Sequence, residues 1–206
     1  MDSPLLQAVF NMDKETINIY NQDAESIAQL HSTLIPHRLY ELINQYFIKN
    51  TATVDIGCGI GRDTQWLNKQ GFLTIGVDAS AGMLKQARQL YPDLLFNEDS
   101  LPKLASLNSL HFHNILCSAV LMHLDKAAIE QACERLLQLL RPEGCLIITL
   151  RGTSQENKRE NGKLYEAIDI ESFSQYFRQN NCEIILYEQE LEQKRQLIWH
   201  NFVIKK

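Results

Sequence analysis

An acid and three glycines stand together in the run Thr53-Val54-Asp55-Ile56-Gly57-Cys58-Gly59-Ile60-Gly61-Arg62. Its first residues read as a buried strand, and a helical pattern follows from Asp63 to Gln70. Strand, glycine loop and helix make a pocket for a nucleotide-type cofactor, because glycine lets backbone approach a ligand closely. The dinucleotide fingerprint Gly-x-Gly-x-x-Gly would set its third glycine at position 62 and a pyrophosphate on the helix N-terminus. Here Gly61 comes one residue early and Arg62 takes that position. A carboxylate at Asp55 would repel a pyrophosphate at close range and would suit a cation.

Further side chains of useful type follow at the ends of later strands. Asp78 closes a second strand, Phe72 to Val77, about 20 residues beyond the glycines, where an acid binds ribose hydroxyls. Met83 lies one helical turn past Ser80, a plausible N-cap, and can pack on a flat ring or fill the core. Asp99 follows a short third strand, Leu94 to Asn97. Ser118 and Ala119 leave a fourth strand at the edge where ligands sit in open α/β sheets. His123, just beyond, can take a proton near neutral pH or bond a loop carbonyl. His111 and His113 share a strand face, but no third ligand stands at useful spacing, so no metal is expected.

The run from Asp55 to Gly61 resembles the first motif, Asp-x-Gly-x-Gly-x-Gly, of class I S-adenosylmethionine-dependent methyltransferases. Gly76-Val77-Asp78-Ala79-Ser80 resembles the segment that carries that family's next acid, and Leu140-Arg141-Pro142-Glu143-Gly144 its later motif. S-adenosylmethionine bears a sulfonium and an ammonium and no phosphate, which suits the acid. The resemblance implies cofactor contacts from Asp55, Gly57, Cys58, Gly59, Gly61, Arg62, Asp78, Ala79, Met83, Asp99, Ser100, Ser118 and Ala119. It implies that Asp99 accepts the adenine amino hydrogen while the next backbone amide meets a ring nitrogen. Arg62 and Arg38 are its candidates for the methionine carboxylate, since guanidinium pairs bidentately with carboxylates. His123 and Tyr20 are the candidates at the reacting end. The implied activity is methyl transfer to an O, N or S of a small-molecule acceptor by in-line displacement, releasing S-adenosylhomocysteine. A non-catalytic cofactor-binding module and, more remotely, a nicotinamide-dependent oxidoreductase are the alternatives.

These residues need a scaffold. Residues from about Lys14 to Lys49 read as helical with a break at Pro36. Strands then alternate with helices: Ile115 to Ser118 is the core of a fourth strand, Asp125 caps the strongest helix, and Cys145 to Leu150 is a fifth strand after a stop at Pro142 and Gly144. Such alternation implies parallel βαβ units in a doubly wound, Rossmann-like α/β sheet with helices on both faces. The ending differs from a dehydrogenase. Ile184–Glu188 and Leu197–Ile204 read as strands, and Glu190–Gln196 is too short for a crossover helix, so the two form an antiparallel hairpin. The resembled fold has that ending, with seven strands in the order 3-2-1-4-5-7-6 and strand 7 antiparallel. One domain is expected: a helical cap over 1–49, a cofactor half over 50–151, and an acceptor side over 152–206. Acceptor choice is expected from the first segment, with Tyr20 and His37, and from the polar stretch Arg151–Lys163 and the surroundings of Tyr165.

Composition narrows the partners. The chain has 206 residues and a net charge of −5, with no basic stripe, which argues against a nucleic-acid backbone as partner. The Asn/Asp-Pro-Pro-Tyr/Phe run of amino-methylating enzymes acting on bases is missing, which also favours a small acceptor. Cys58, Cys117, Cys133, Cys145 and Cys182 form no Cys-x-x-Cys pair and sit mostly in apolar runs, as free thiols in a reducing cytoplasm would. No apolar run is long enough to span a bilayer, and the first residues lack a signal peptide pattern.

Overall fold

The computed structural model describes residues 12–153, 155–193 and 195–206. The chain enters through α1 (Lys14–Gln22), α2 (Ala24–Ser32) and α3 (His37–Tyr46). The expected break at Pro36 is present, and a second one falls at Asp23. There Asn21 turns its side chain away from its own helix. Its Oδ1 accepts the Ser80 hydroxyl and the Gly82 N–H, at 2.8 and 2.9 Å. Local periodicity does not register such a long-range tie.

β1 (Ala52–Ile56), β2 (Leu73–Asp78), β3 (Phe96–Glu98), β4 (Phe112–Ser118) and β5 (Leu140–Arg151) are parallel. They are linked by α4 (Arg62–Lys69), α5 (Ala81–Leu90) and α6 (Lys126–Leu139). A small hairpin, β6 (Lys158–Glu160) with β7 (Lys163–Tyr165), stands apart from the main sheet. After α7 (Ile170–Gln179), β8 (Glu183–Glu192) and β9 (Leu197–Lys205) close the chain. The sheet order is β3-β2-β1-β4-β5-β9-β8, with β9 antiparallel to both neighbours. This is the expected seven-strand order, the last two strands being numbered eight and nine because the small hairpin precedes them.

Both sheet faces are covered. Along β4, Ile115 and Cys117 face a core with Leu136 of α6 and Phe173 and Phe177 of α7. Leu116 between them faces the opposite core, with Leu42 and Ile43 of α3 and Leu67 of α4. That alternation is the period of a strand buried on both sides. The Leu140–Gly144 segment stops α6 at Leu139 and turns within the start of β5: pairing with β4 jumps from Leu140 to Cys145, and Glu143 has φ +62°. Glu143 N–H donates to Lys206 O and Lys206 N–H to Gly144 O, so the chain end supplies the partners that continue the ladder.

Candidate functional site

The carboxyl ends of the central strands open into a cavity of about 570 Å³, roofed by the first three helices. Its floor is the glycine loop. Gly57 has φ +73°, and a Cβ there would overlap the Val120 side chain, so only glycine lets the loop lie this close to the β4 exit. Asp78 braces the loop from the end of β2. Its Oδ2 accepts the Gly59 N–H and its Oδ1 the Ser80 N–H, both at 2.8 Å. Burial pushes this carboxyl up, and the N–H groups of Ser80, Gly59 and Ala79 pull it back toward the ionised form. A carboxylate offers about four lone-pair sites, so Asp78 keeps acceptor capacity for a ligand.

Asp99 is arranged similarly. Its backbone N–H donates to Asp78 O, and its two carboxyl oxygens accept the N–H groups of Ser100 (2.8 Å) and Ser106 (2.6 Å). Ser118 and Ala119 form the opposite wall. Thr149 of β5 shapes it: its Oγ1 lies 2.8 Å from Ser118 Oγ and accepts the Ala119 N–H at 3.1 Å. Ala119 has φ +59°, an uncommon backbone state for a side chain with a Cβ. Thr149 was not singled out in the sequence; its place at the carboxyl end of a central strand was the available signal. Cys58 also borders the cavity, but burial raises its thiol well above the ordinary range, leaving a poor nucleophile.

The cavity wall around His123 and Tyr20 is built from three distant segments. His123 Nδ1 lies 2.6 Å from Leu164 O, and a carbonyl can only accept, so Nδ1 carries the proton. The Nε2 lone pair then faces the Tyr20 hydroxyl, which donates across 3.4 Å. Burial holds the imidazole down at about 4 and raises the Tyr20 phenol, so both are neutral near pH 7. His123 thus satisfies a loop carbonyl through Nδ1 and accepts the Tyr20 hydroxyl through Nε2. The wall is clamped around it. Arg159 grips Asp13 at 3.1 and 2.8 Å, Leu164 N–H donates to Thr16 Oγ1, and Asp13 N–H donates to His123 O.

Among the expected site residues, Gly57, Cys58, Gly59, Arg62, Asp78, Ala79, Met83, Asp99, Ser100, Ser118, Ala119, Arg38, His123 and Tyr20 all line the cavity. Asp55 and Gly61 do not. Asp55 points behind the loop, only 2% exposed, and accepts the Thr64 hydroxyl at 2.7 Å; burial raises its carboxyl. Gly61 has φ +76° and starts α4 against the Phe96 ring, where a Cβ would stand 2.6 Å from the ring edge. The two arginines expected at a ligand carboxylate already hold protein carboxylates. Arg62 grips Asp63 through Nε and Nη2, both at 2.8 Å, and Asp63 also accepts the Tyr40 hydroxyl. Arg38 grips Glu188 at 2.7 and 2.8 Å and meets Glu41 through Nη1.

This donor and acceptor set discriminates between cofactors. Asp78 and Asp99 set two carboxylates on the cavity lining, each bonded to loop N–H groups, and the arginine beside the glycine loop is neutralised by Asp63. A pyrophosphate would meet carboxylates; a phosphate-free, cationic nucleoside fits. The fold is the Rossmann-like one expected from the sequence. Residues 53–144 match the methyltransferase domain family. Over 104 residues the chain is 29% identical to a protein of Geobacillus sp. named as a methyltransferase, covering 48% of this chain and 42% of the relative. It is 31% identical over 98 residues to the ubiquinone biosynthesis O-methyltransferase of Paracidovorax citrulli, covering 44% and 41%. The chain thus spans about two fifths of the length of these relatives. The fold superposes on the Burkholderia thailandensis 1,6-didemethyltoxoflavin-N1-methyltransferase with a TM-score of 0.75 at 17% identity, covering 93% of this chain and 87% of that one. The chain thus resembles methyltransferases over residues 53–144 and shares the fold of the Burkholderia enzyme.

Proposed function

We propose that the chain transfers the methyl group of S-adenosylmethionine to a small-molecule acceptor. The observation that carries this reading is the pair Asp78 and Asp99 along one cavity wall, facing a glycine loop whose nearest guanidinium is already paired. Bound there, the cofactor supplies an activated sulfonium methyl. Asp78 holds the ribose hydroxyls, and Asp99, its carboxylate fixed by the Ser100 and Ser106 N–H groups, holds the adenine amino group. Met83, packed one turn into α5 and 2% exposed, backs the ring. Arg38 and Arg62 act as struts between elements, and Asp55 and Gly61 support the loop from behind. The segment 1–49, of which 1–11 lie outside the described residues, forms the roof, 50–151 the cofactor half and 152–206 the acceptor side.

The protein's own task is then placement. Holding a nucleophile in line with an activated carbon, in a site closed to water, supplies much of the barrier reduction. The Tyr20 oxygen takes the acceptor's proton as its own passes to His123 Nε2, so the two act as a relay. The acceptor bound in the Burkholderia relative, 1,6-didemethyltoxoflavin, is a small molecule, which supports the same class here. No helix among the described residues is long and apolar enough to cross a membrane, and the five cysteines are free and buried.

Calorimetric titration with S-adenosylhomocysteine and with NAD tests the cofactor, and transfer of labelled methyl into a metabolite pool tests the reaction. Binding of S-adenosylhomocysteine alone is expected. Tight NAD binding with none of S-adenosylhomocysteine would overturn the reading.

A further inference from the structure

Charge is distributed unevenly around the cavity. Each guanidinium that lines it already holds a carboxylate: Arg38 holds Glu188, Arg62 holds Asp63, Arg151 holds Glu160 and Arg195 holds Glu192. Among the described residues, the lining carboxylates of Asp78, Asp99 and Glu190 hold no cation. The first two stand beside the glycine loop. Glu190 is on β8, four strand spacings from β1, or roughly 19 Å across the sheet.

The row around Glu190 shows what is missing there. Glu188, Glu190 and Glu192 alternate along β8 and so share one face. The outer two are occupied. Arg38 is bidentate on Glu188, and Glu192 accepts Arg195 twice at 2.6 Å and the Trp199 N–H at 3.2 Å. The middle one has no partner among the described residues. Opposite it in the ladder stands Trp199, and Asn201 follows two residues along β9 on the same face. Asn201 is only 4% exposed and lines the cavity. A carboxylate can only accept, so Asn201 turns Nδ2 to Glu188, at 3.2 Å, and Oδ1 away from it. No described residue donates to that Oδ1, although polar atoms of buried side chains are nearly always bonded.

This part of the lining therefore offers a carboxylate, an amide oxygen and an indole. A group that brings N–H donors and a positive charge satisfies all three; an ammonium gives one N–H to each oxygen and its charge to the ring. A carboxylate placed here would meet Glu190 with every nearby guanidinium already paired.

Building on the methyltransferase reading, we propose that Glu190, Asn201 and Trp199 form the seat for an ammonium group of the methyl acceptor. That group is an anchor and not the methylated atom, because β8 lies three strand spacings, roughly 14 Å, from β4, whose exit carries His123. Glu190 is then a specificity-determining residue for cationic acceptors over neutral and acidic ones.

The test uses the full chain saturated with S-adenosylhomocysteine, titrated calorimetrically with tyramine, tyrosol and 4-hydroxyphenylacetate. These share a phenol ring and differ in the charge of the other end: positive, neutral and negative. Tyramine should bind at least tenfold tighter than tyrosol, with the acid weakest. Glu190→Gln should bring the ratio of tyramine to tyrosol close to one, and Glu190→Lys should make the acid the tightest of the three. Asn201→Ser should weaken tyramine at least threefold and tyrosol less. Melting of each variant with S-adenosylhomocysteine checks that the cofactor half is intact. If Asn201→Ser does not fold, the Glu190 variants decide, since that side chain is exposed and holds no described group. Tyramine binding no tighter than tyrosol, no binding of any of the three, or an unchanged order in Glu190→Lys overturns the proposal. Failure of the native chain to bind S-adenosylhomocysteine sinks the methyltransferase reading instead.

Discussion

Two side chains show how burial and bonding set function at the scale of the residue. Asp78 braces the glycine loop and keeps lone pairs toward the cavity. Asp78→Ala should lower S-adenosylhomocysteine affinity at least tenfold, the equivalent of about 1.4 kcal/mol; an unchanged dissociation constant in calorimetry refutes its role. His123 gives a pH prediction. The folded chain holds the imidazole at about 4, because burial disfavours the cation, against about 6.5 when unfolded. Between those values the unfolded chain binds more protons, so this histidine makes stability rise with pH across that window. On acidification from about 6.5 to 4, the native chain should lose on the order of 2–3 kcal/mol more than His123→Gln, by denaturant unfolding at several pH values. Parallel stability curves for the two chains would show that the imidazole is not held neutral.

At the scale of the element, the strands and helices follow from patterns that are local. Ser80 and Asp125 cap α5 and α6 as their positions suggest, accepting the N–H groups of Met83 and Ala128. The parallel order and the closing antiparallel pair follow from alternation and from the short Glu190–Gln196 connection. What local pattern does not carry is pairing between distant segments. The β6–β7 hairpin sits in a polar stretch without strand alternation, and it exists because α1 and His123 hold it. Asn114 is a second case, a polar residue in an apolar strand. It is fully buried, its Oδ1 accepts Ile48 N–H at 2.9 Å, and its Nδ2 donates to Ile48 O at 2.9 Å and to Thr53 Oγ1 at 2.9 Å. The amide thus staples the α3–β1 connection to β4. Asn114→Leu keeps the volume roughly but strands both backbone groups of Ile48, and should destabilise the fold by about 2–4 kcal/mol in denaturant unfolding. A loss below about 0.5 kcal/mol would mean that water replaces the amide.

At the scale of the molecule, the cavity is legible in part. Its cofactor half lies in one stretch of chain, from the glycine loop to Ala119, and the residue types there point to their chemistry. The rest of the lining, proposed as the acceptor side, is assembled from α1, the β4 exit, the β6–β7 hairpin and the β8–β9 pair, so no contiguous motif announces Arg151, Tyr165 or Trp199 as neighbours. The same assembly makes the roof depend on what lies beneath it. Leu30, Leu34 and Ile35 border the cavity while 56%, 42% and 62% exposed, so apolar surface of the roof still faces water. A ligand under the roof covers that surface and couples the first helices to the sheet. Saturation with S-adenosylhomocysteine at a hundred times its dissociation constant should stabilise the fold by about 2.7 kcal/mol, which for a chain of this size raises the melting temperature by roughly 5–10 °C. Hydrogen exchange should slow in α1 and α2 as well as in the glycine loop, because opening the roof then requires release of the ligand. If the melting temperature rises while exchange in α1 and α2 stays as fast as in the free chain, the first helices are bystanders and the cofactor is held by the sheet edge alone.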